Sequence, residues 1–134
     1  MMPIAVGTIL AICVALFAHV AGFDRGKVFY STVLIVVGSY YVLFAVMAGG
    51  SGLVTELAFF ALFAMLAVAG FKTSLWLVVA GLALHGLFDF VRLGPLPGSG
   101  VPAFWPGFCA SYDFVAAAGL AILMLMDGRR HAAS

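Results

Sequence analysis

Apolar side chains fall in blocks long enough to cross a bilayer, and polar side chains fall mostly between them. A helix needs roughly 20 consecutive apolar residues to span the hydrocarbon core. Segmenting at charges, Gly and Pro gives five such blocks, 3–22, 28–48, 53–70, 74–92 and 107–126. They are separated by "GFDRGK", the Gly-rich turn "GGSG", the short "FKT" break and the Pro-rich stretch 93–107. A four-span alternative would fuse residues 53–92 into one helix, far longer than a bilayer requires. The predicted fold is therefore all-α, a single domain over residues 1–134 built as a bundle of five transmembrane helices.

Composition sharpens this picture. The chain is 66% hydrophobic and only 8% charged, against about 25% charged residues in soluble domains. So much apolar surface cannot be hidden inside a small water-soluble fold, and the first partner is the lipid bilayer. A net charge of +1 leaves no basic field for nucleic acid. The two cysteines make neither a disulfide framework nor a zinc spacing. The opening "MMPIAVGTIL" has no basic residue, so it predicts a retained first span and not a cleaved signal peptide.

Five spans place the termini on opposite sides. One side receives Arg25, Lys27, Lys72, Arg129 and Arg130, and the other only Arg92. Basic residues in short loops stay cytoplasmic, which predicts an N-terminus outside and a C-terminus inside. The loop 93–107, "LGPLPGSGVPAFWPG", then lies on the outer side. Its prolines exclude helix and strand. It is read either as a surface loop, with Phe104 and Trp105 in the headgroup zone, or as a lid dipping into the protein.

The acidic residues carry the candidate chemistry. Asp24 and Asp127 sit at span ends, while Glu56, Asp89 and Asp113 lie inside spans. A charge there costs roughly 2.5–3.5 kcal/mol near the bilayer centre, so intramembrane ionisable groups are functional candidates by default. At about 1.5 Å rise per residue, His85 lies roughly 10 Å below the outer end of the fourth span and Asp113 roughly 9 Å below that of the fifth. Asp89 and Cys109 are one turn shallower, and Glu56 enters from the same side. His85, Asp89 and Arg92 follow i, i+4, i+7, and Cys109, Tyr112 and Asp113 share one face of the next span. Consecutive antiparallel spans are usually neighbours. The expectation is one outward-facing polar pocket of Glu56, His85, Asp89, Arg92, Cys109, Tyr112 and Asp113. Within it, His85, Asp89 and Asp113 are the candidate ligands of a divalent metal cofactor.

Plainer roles exist for each. Asp89 and Arg92 fit an interfacial ion pair with a snorkelling arginine. Asp113 fits a protonated carboxyl bonding a neighbouring helix, Glu56 suits a helix N-terminus, and His85 suits simple packing. Cys13 lies deeper than Cys109, against a disulfide between them. His19 falls at the far end of the first span. Ser39, Tyr40 and Tyr41 read as helix packing with spare hydroxyls, the Phe-rich "AFFALFAML" as lipid contact or core, and "AAAGLA" at 116–121 as a close-approach surface.

The succession "GSYY", "TELAF", "LHGLFDFV" and "FCASYD" resembles a family of small bacterial multi-pass membrane proteins with no assigned activity. That family has a Glu in an early span, a His-x-x-x-Asp run and a Cys-x-x-x-Asp run. The resemblance covers about residues 38–120. It implies Glu56, His85, Asp89, Cys109 and Asp113 as the site, in a bacterial cytoplasmic membrane. Arg92 stands where the family pattern continues with histidine, which weakens the case for a histidine-rich metal site.

Three functions follow. The first is binding or transport of a small molecule, ion or proton through the polar pocket; five spans are few for one transporter, so this version predicts a homo-oligomer. The second is an accessory or assembly protein whose polar cluster only sets helix register. The third is a metal-dependent enzyme acting on a lipid-like substrate, for which no hydrolase motif is present.

Overall fold

The computed structural model describes residues 1–94 and 98–133. Its helices are α1 (Met2–Ala21), α2 (Val28–Met47), α3 (Leu53–Lys72), α4 (Trp76–Leu93) and α5 (Trp105–Ala133). All five are long and apolar enough to cross a membrane, and there is no strand among the described residues. Large apolar side chains such as Ile9, Phe17, Val54, Met65, Leu84 and Ile122 face outward, as lipid contact requires.

The breaks follow from local chemistry. Gly22 closes α1 in the left-handed region (φ 82°), its amide bonding carbonyls of the last turn, and a 3-10 turn at Phe23–Arg25 leads into α2. Gly49 and Gly50, both at positive φ, make the reversal between α2 and α3 that a side chain would strain. The α3–α4 break is tight, with Thr73 Oγ donating to the Ala69 carbonyl at 2.6 Å. α5 starts at Trp105 with Pro106 in its first turn, where a missing amide costs nothing. It also runs past the expected end at 126 to Ala133. "DGRRHAA" lacks a proline stop and has good helix formers, so the helix continues as an exposed polar tail.

The helices do not all pack in chain order. α2 lies on α3, α3 on α4, and α4 on α5, but α1 skips α2 and packs on α5. Glycines set the closest crossings. A methyl on Gly7 would overlap the Phe108 carbonyl and the Ser111 hydroxyl of α5, and one on Gly70 or Gly81 would press on Val78 or Leu34. Ala116 and Ala117, from the small-residue run, are buried within this bundle. We expect Gly7→Val to prise α1 from α5 at a cost of about 1–3 kcal/mol, the usual range for overpacking. Denaturant titration of the protein in detergent would check it, and an unchanged midpoint would refute this crossing.

One bundle end carries the 22–27 and 73–75 turns, joined by a hydrogen bond from Lys27 Nζ to the Thr73 carbonyl at 3.1 Å. The other carries the N-terminus, the 48–52 turn and residues 98–104, joined between Ser99 and Ser51 hydroxyls at 3.4 Å. Of the loop assigned to 93–107, residues 95–97 lie outside the described residues. Gly98 and Gly100 sit so close over Arg92 and the Phe44 carbonyl that an added methyl would approach within 2.9 Å and 2.8 Å. This part of the connection is packed onto the protein.

Candidate functional site

α4 is built inside out. Its buried residues are Val78, Gly81, Leu82, His85, Gly86, Asp89 and Arg92, a 3–4 repeat along one stripe, while Leu84, Leu87 and Phe90 face outward. In lipid the apolar stripe points away from the bundle and the ionisable one towards it. On α5, Cys109, Ala110 and Asp113 form the facing buried surface. Gly86 lets the two helices close, with Phe114 and the Ala110 carbonyl filling the space a side chain would need.

Two polar groups result. In the shallower one, the Arg92 guanidinium meets the Glu56 carboxylate through both oxygens, at 2.8 Å and 2.9 Å. This fork geometry is the strongest form of the pair. The guanidinium carbon lies 4.6 Å from the Phe88 ring centre, 5.2 Å from Tyr41 and 5.6 Å from Phe59, all within cation–π range. Arg92 is buried and does not snorkel, and its ionic partner is Glu56 on α3, not Asp89. Glu56 stands in the first turn of α3, so the helix dipole favours it as well.

In the deeper group, His85 Nδ1 lies 2.6 Å from Asp113 Oδ2 and 3.5 Å from Asp89 Oδ2. The Tyr41 hydroxyl donates to Asp89 Oδ1 at 2.5 Å. The Cys109 thiol donates weakly to Asp113 at 3.8 Å. His85 is 1% exposed, and Asp89 and Asp113 are 0% exposed, so neither water nor lipid reaches them. Rings of Phe63, Phe88 and Tyr41 pack round the imidazole.

This second group is incompletely satisfied. His85 Nε2, Asp89 Oδ2 and Asp113 Oδ1 are buried without a hydrogen-bond partner. A buried polar atom left unpaired costs about 1–3 kcal/mol, and three in one cluster call for an explanation. The formal charges are unbalanced too. Glu56 is matched to Arg92, which leaves two carboxylates facing a single imidazole. One potential ligand atom each from His85, Asp89, Cys109 and Asp113 lie within 4.8 Å of one another. A small cation among these atoms would offset the excess negative charge.

Six of the seven pocket residues read from the sequence are in these two groups. Tyr112 is not: half-buried, it lines an apolar cleft of about 420 Å³ that opens where α1 fails to meet α2. Cys109 lines the same cleft, so its thiol stands between the cleft and the carboxylates. Tyr41 is the member of the deeper polar group that sequence reading assigned to packing. The signal was present, since Tyr41 is six residues from the end of α2, a depth of about 9 Å by helical rise, level with His85 and Asp113. Ser39, by contrast, only bonds back to its own helix at Val36. His19 pairs with Asp24 at 2.9 Å at the opposite bundle end, and Cys13 and Cys109 are both free thiols.

Comparison with family models, curated proteins and solved structures finds no match to this chain. Its chemistry rests on the site alone. Tyr41→Phe removes a hydrogen bond to a carboxylate, a class that contributes about 1.5–3 kcal/mol. We expect that loss of stability with the helical content kept. Equal unfolding midpoints for the two proteins would show that Tyr41 does not hold Asp89.

Proposed function

We propose that this is a multi-pass membrane protein that binds a small cation within the bilayer, between α4 and α5, as the ion-holding step of an ion-transport function. The observation that carries this is the set of unpartnered buried atoms on His85, Asp89 and Asp113, with two carboxylates to one imidazole. Each unpaired atom is costly away from water, and a purely structural cluster has no need of three of them. The Arg92–Glu56 pair shows what a closed structural contact looks like in this protein, because both partners are matched.

The charge bias of the turns supports an N-terminus outside and a C-terminus inside, in a cytoplasmic membrane. In that orientation the cation site lies in the outer half of the membrane. With only five spans, a homo-oligomer would complete a transport path, and the lipid-facing surface of α1 is available for it.

Thermal unfolding of the purified protein in a panel of chloride salts (sodium, potassium, magnesium, calcium, manganese and zinc) tests the binding. A ligand that binds only the folded state stabilises it, by about 2.7 kcal/mol at one hundred times its Kd. At least one cation should raise the midpoint in a saturable manner at constant ionic strength. A midpoint that no cation moves would remove this reading and leave helix register as the role of the cluster.

A further inference from the structure

Resting on that reading, we infer that the cation is a divalent transition metal of the zinc class, held by His85, Asp89, Cys109 and Asp113. The donor set argues for this class. It offers one imidazole nitrogen, one sulfur and two carboxylates, two ligands from α4 and two from α5, each pair spaced i, i+4 on its helix. Four mixed nitrogen, oxygen and sulfur donors are what tetrahedral zinc takes, at about 2.0–2.3 Å each. Donors round such an ion stand about 3.3–3.8 Å apart, as those bond lengths require. To surround such an ion, the present spread of up to 4.8 Å closes by about 1 Å and the His85–Asp113 contact, now 2.6 Å, opens by about 0.7 Å.

Competing ions fit less well. Calcium takes six to eight oxygens, and magnesium keeps an octahedral shell with several waters. The cluster supplies two carboxylates and is shut off from solvent by Phe63, Phe88 and Tyr41. Sulfur and imidazole select zinc, cobalt and their neighbours over these harder ions. Cys109 binds as its thiolate, releasing its proton, so with a neutral imidazole the donors carry three negative charges, two of which the dication cancels. Arg92, one turn away on the same helix face, does not oppose it, because its charge is matched by Glu56. Tyr41 completes the arrangement. Its hydroxyl holds Asp89 Oδ1, which leaves the unpartnered Oδ2 to meet the metal, the ordering role that outer partners of metal ligands commonly have.

The test uses the full chain, tag-free, with Cys13→Ala and His19→Gln to remove the other free thiol and the exposed His19–Asp24 pair. Reconstituted in nanodiscs and stripped of metal, it is titrated with Co2+. Binding of one equivalent is expected, with the visible bands of tetrahedral cobalt and a sulfur-to-cobalt charge-transfer band. Zn2+ should displace the cobalt mole for mole, and a large excess of Ca2+ or Mg2+ should not. Cys109→Ser should abolish the charge-transfer band, and Tyr41→Phe should weaken cobalt binding by about 10–100-fold, the usual effect of losing an outer partner. Octahedral spectra, absence of the sulfur band, or displacement by Ca2+ would each overturn the assignment. Stabilisation by an alkali or alkaline-earth ion, with no cobalt or zinc bound, would overturn the metal class and leave the cation site standing. No response to any cation would overturn both.

Discussion

Arg92→Met should destabilise the protein by about 3–5 kcal/mol, the cost of leaving one member of a buried ion pair without its partner. The Glu56 carboxylate is 4% exposed and both its oxygens face the guanidinium, so no water replaces the lost charge. Met keeps much of the contact of the arginine stem with Phe88 and Phe59, which isolates the ionic part of the loss. Adding Glu56→Leu to Arg92→Met should recover most of the stability, because an apolar pair of similar volume often replaces a buried ion pair at little net cost. Unfolding midpoints of the wild type, both single variants and the double variant complete the cycle. Additive losses in the double variant would mean that the two side chains are not coupled.

Asp113→Asn is expected to have the largest effect on ligand binding. It keeps the size of the side chain and an oxygen to face His85, so the bundle should remain folded with a modest loss of stability. It removes one of the two carboxylate charges that the cation needs. The cation-dependent rise in midpoint, about 2.7 kcal/mol at one hundred times Kd in the wild type, should therefore fall close to zero at the same salt concentration. If Asp113 served only helix register, the variant would lose basal stability and respond to salts as the wild type does. The two roles separate in one experiment.

The helical spans were legible because lipid imposes a simple rule, that every backbone amide must be bonded inside its own segment. Blocks such as 28–48 and 53–70 obey it visibly, and the corresponding helices start and end within about two residues of the expected bounds. The ends differ more where lipid no longer decides. α5 continues beyond Met126 because Arg129 and Arg130 are good helix formers that need no bilayer.

The polar layer was legible by depth and spacing, which join His85 and Asp89 on α4 to Cys109 and Asp113 on α5. Partner choice within it was not. Arg92 has Asp89 three residues before it, yet it reaches across to Glu56. Nothing in the linear pattern reveals that Gly70 lets α3 and α4 approach closely, or that Tyr41 already occupies Asp89. Tyr112 shares the α5 spacing with Asp113 but turns to the cleft. The cause is that α1 packs on α5 and not on α2, an exception to the rule that consecutive helices are neighbours.

The central claim is that the deeper polar cluster holds a cation. Multi-element mass spectrometry of the tag-free protein, purified without chelators and dialysed after incubation with zinc, counts what stays bound per chain. The account predicts one equivalent of metal in the wild type and little in His85→Ala and Asp113→Asn. A folded wild-type protein with no bound metal, or the same metal content in all three proteins, would contradict it.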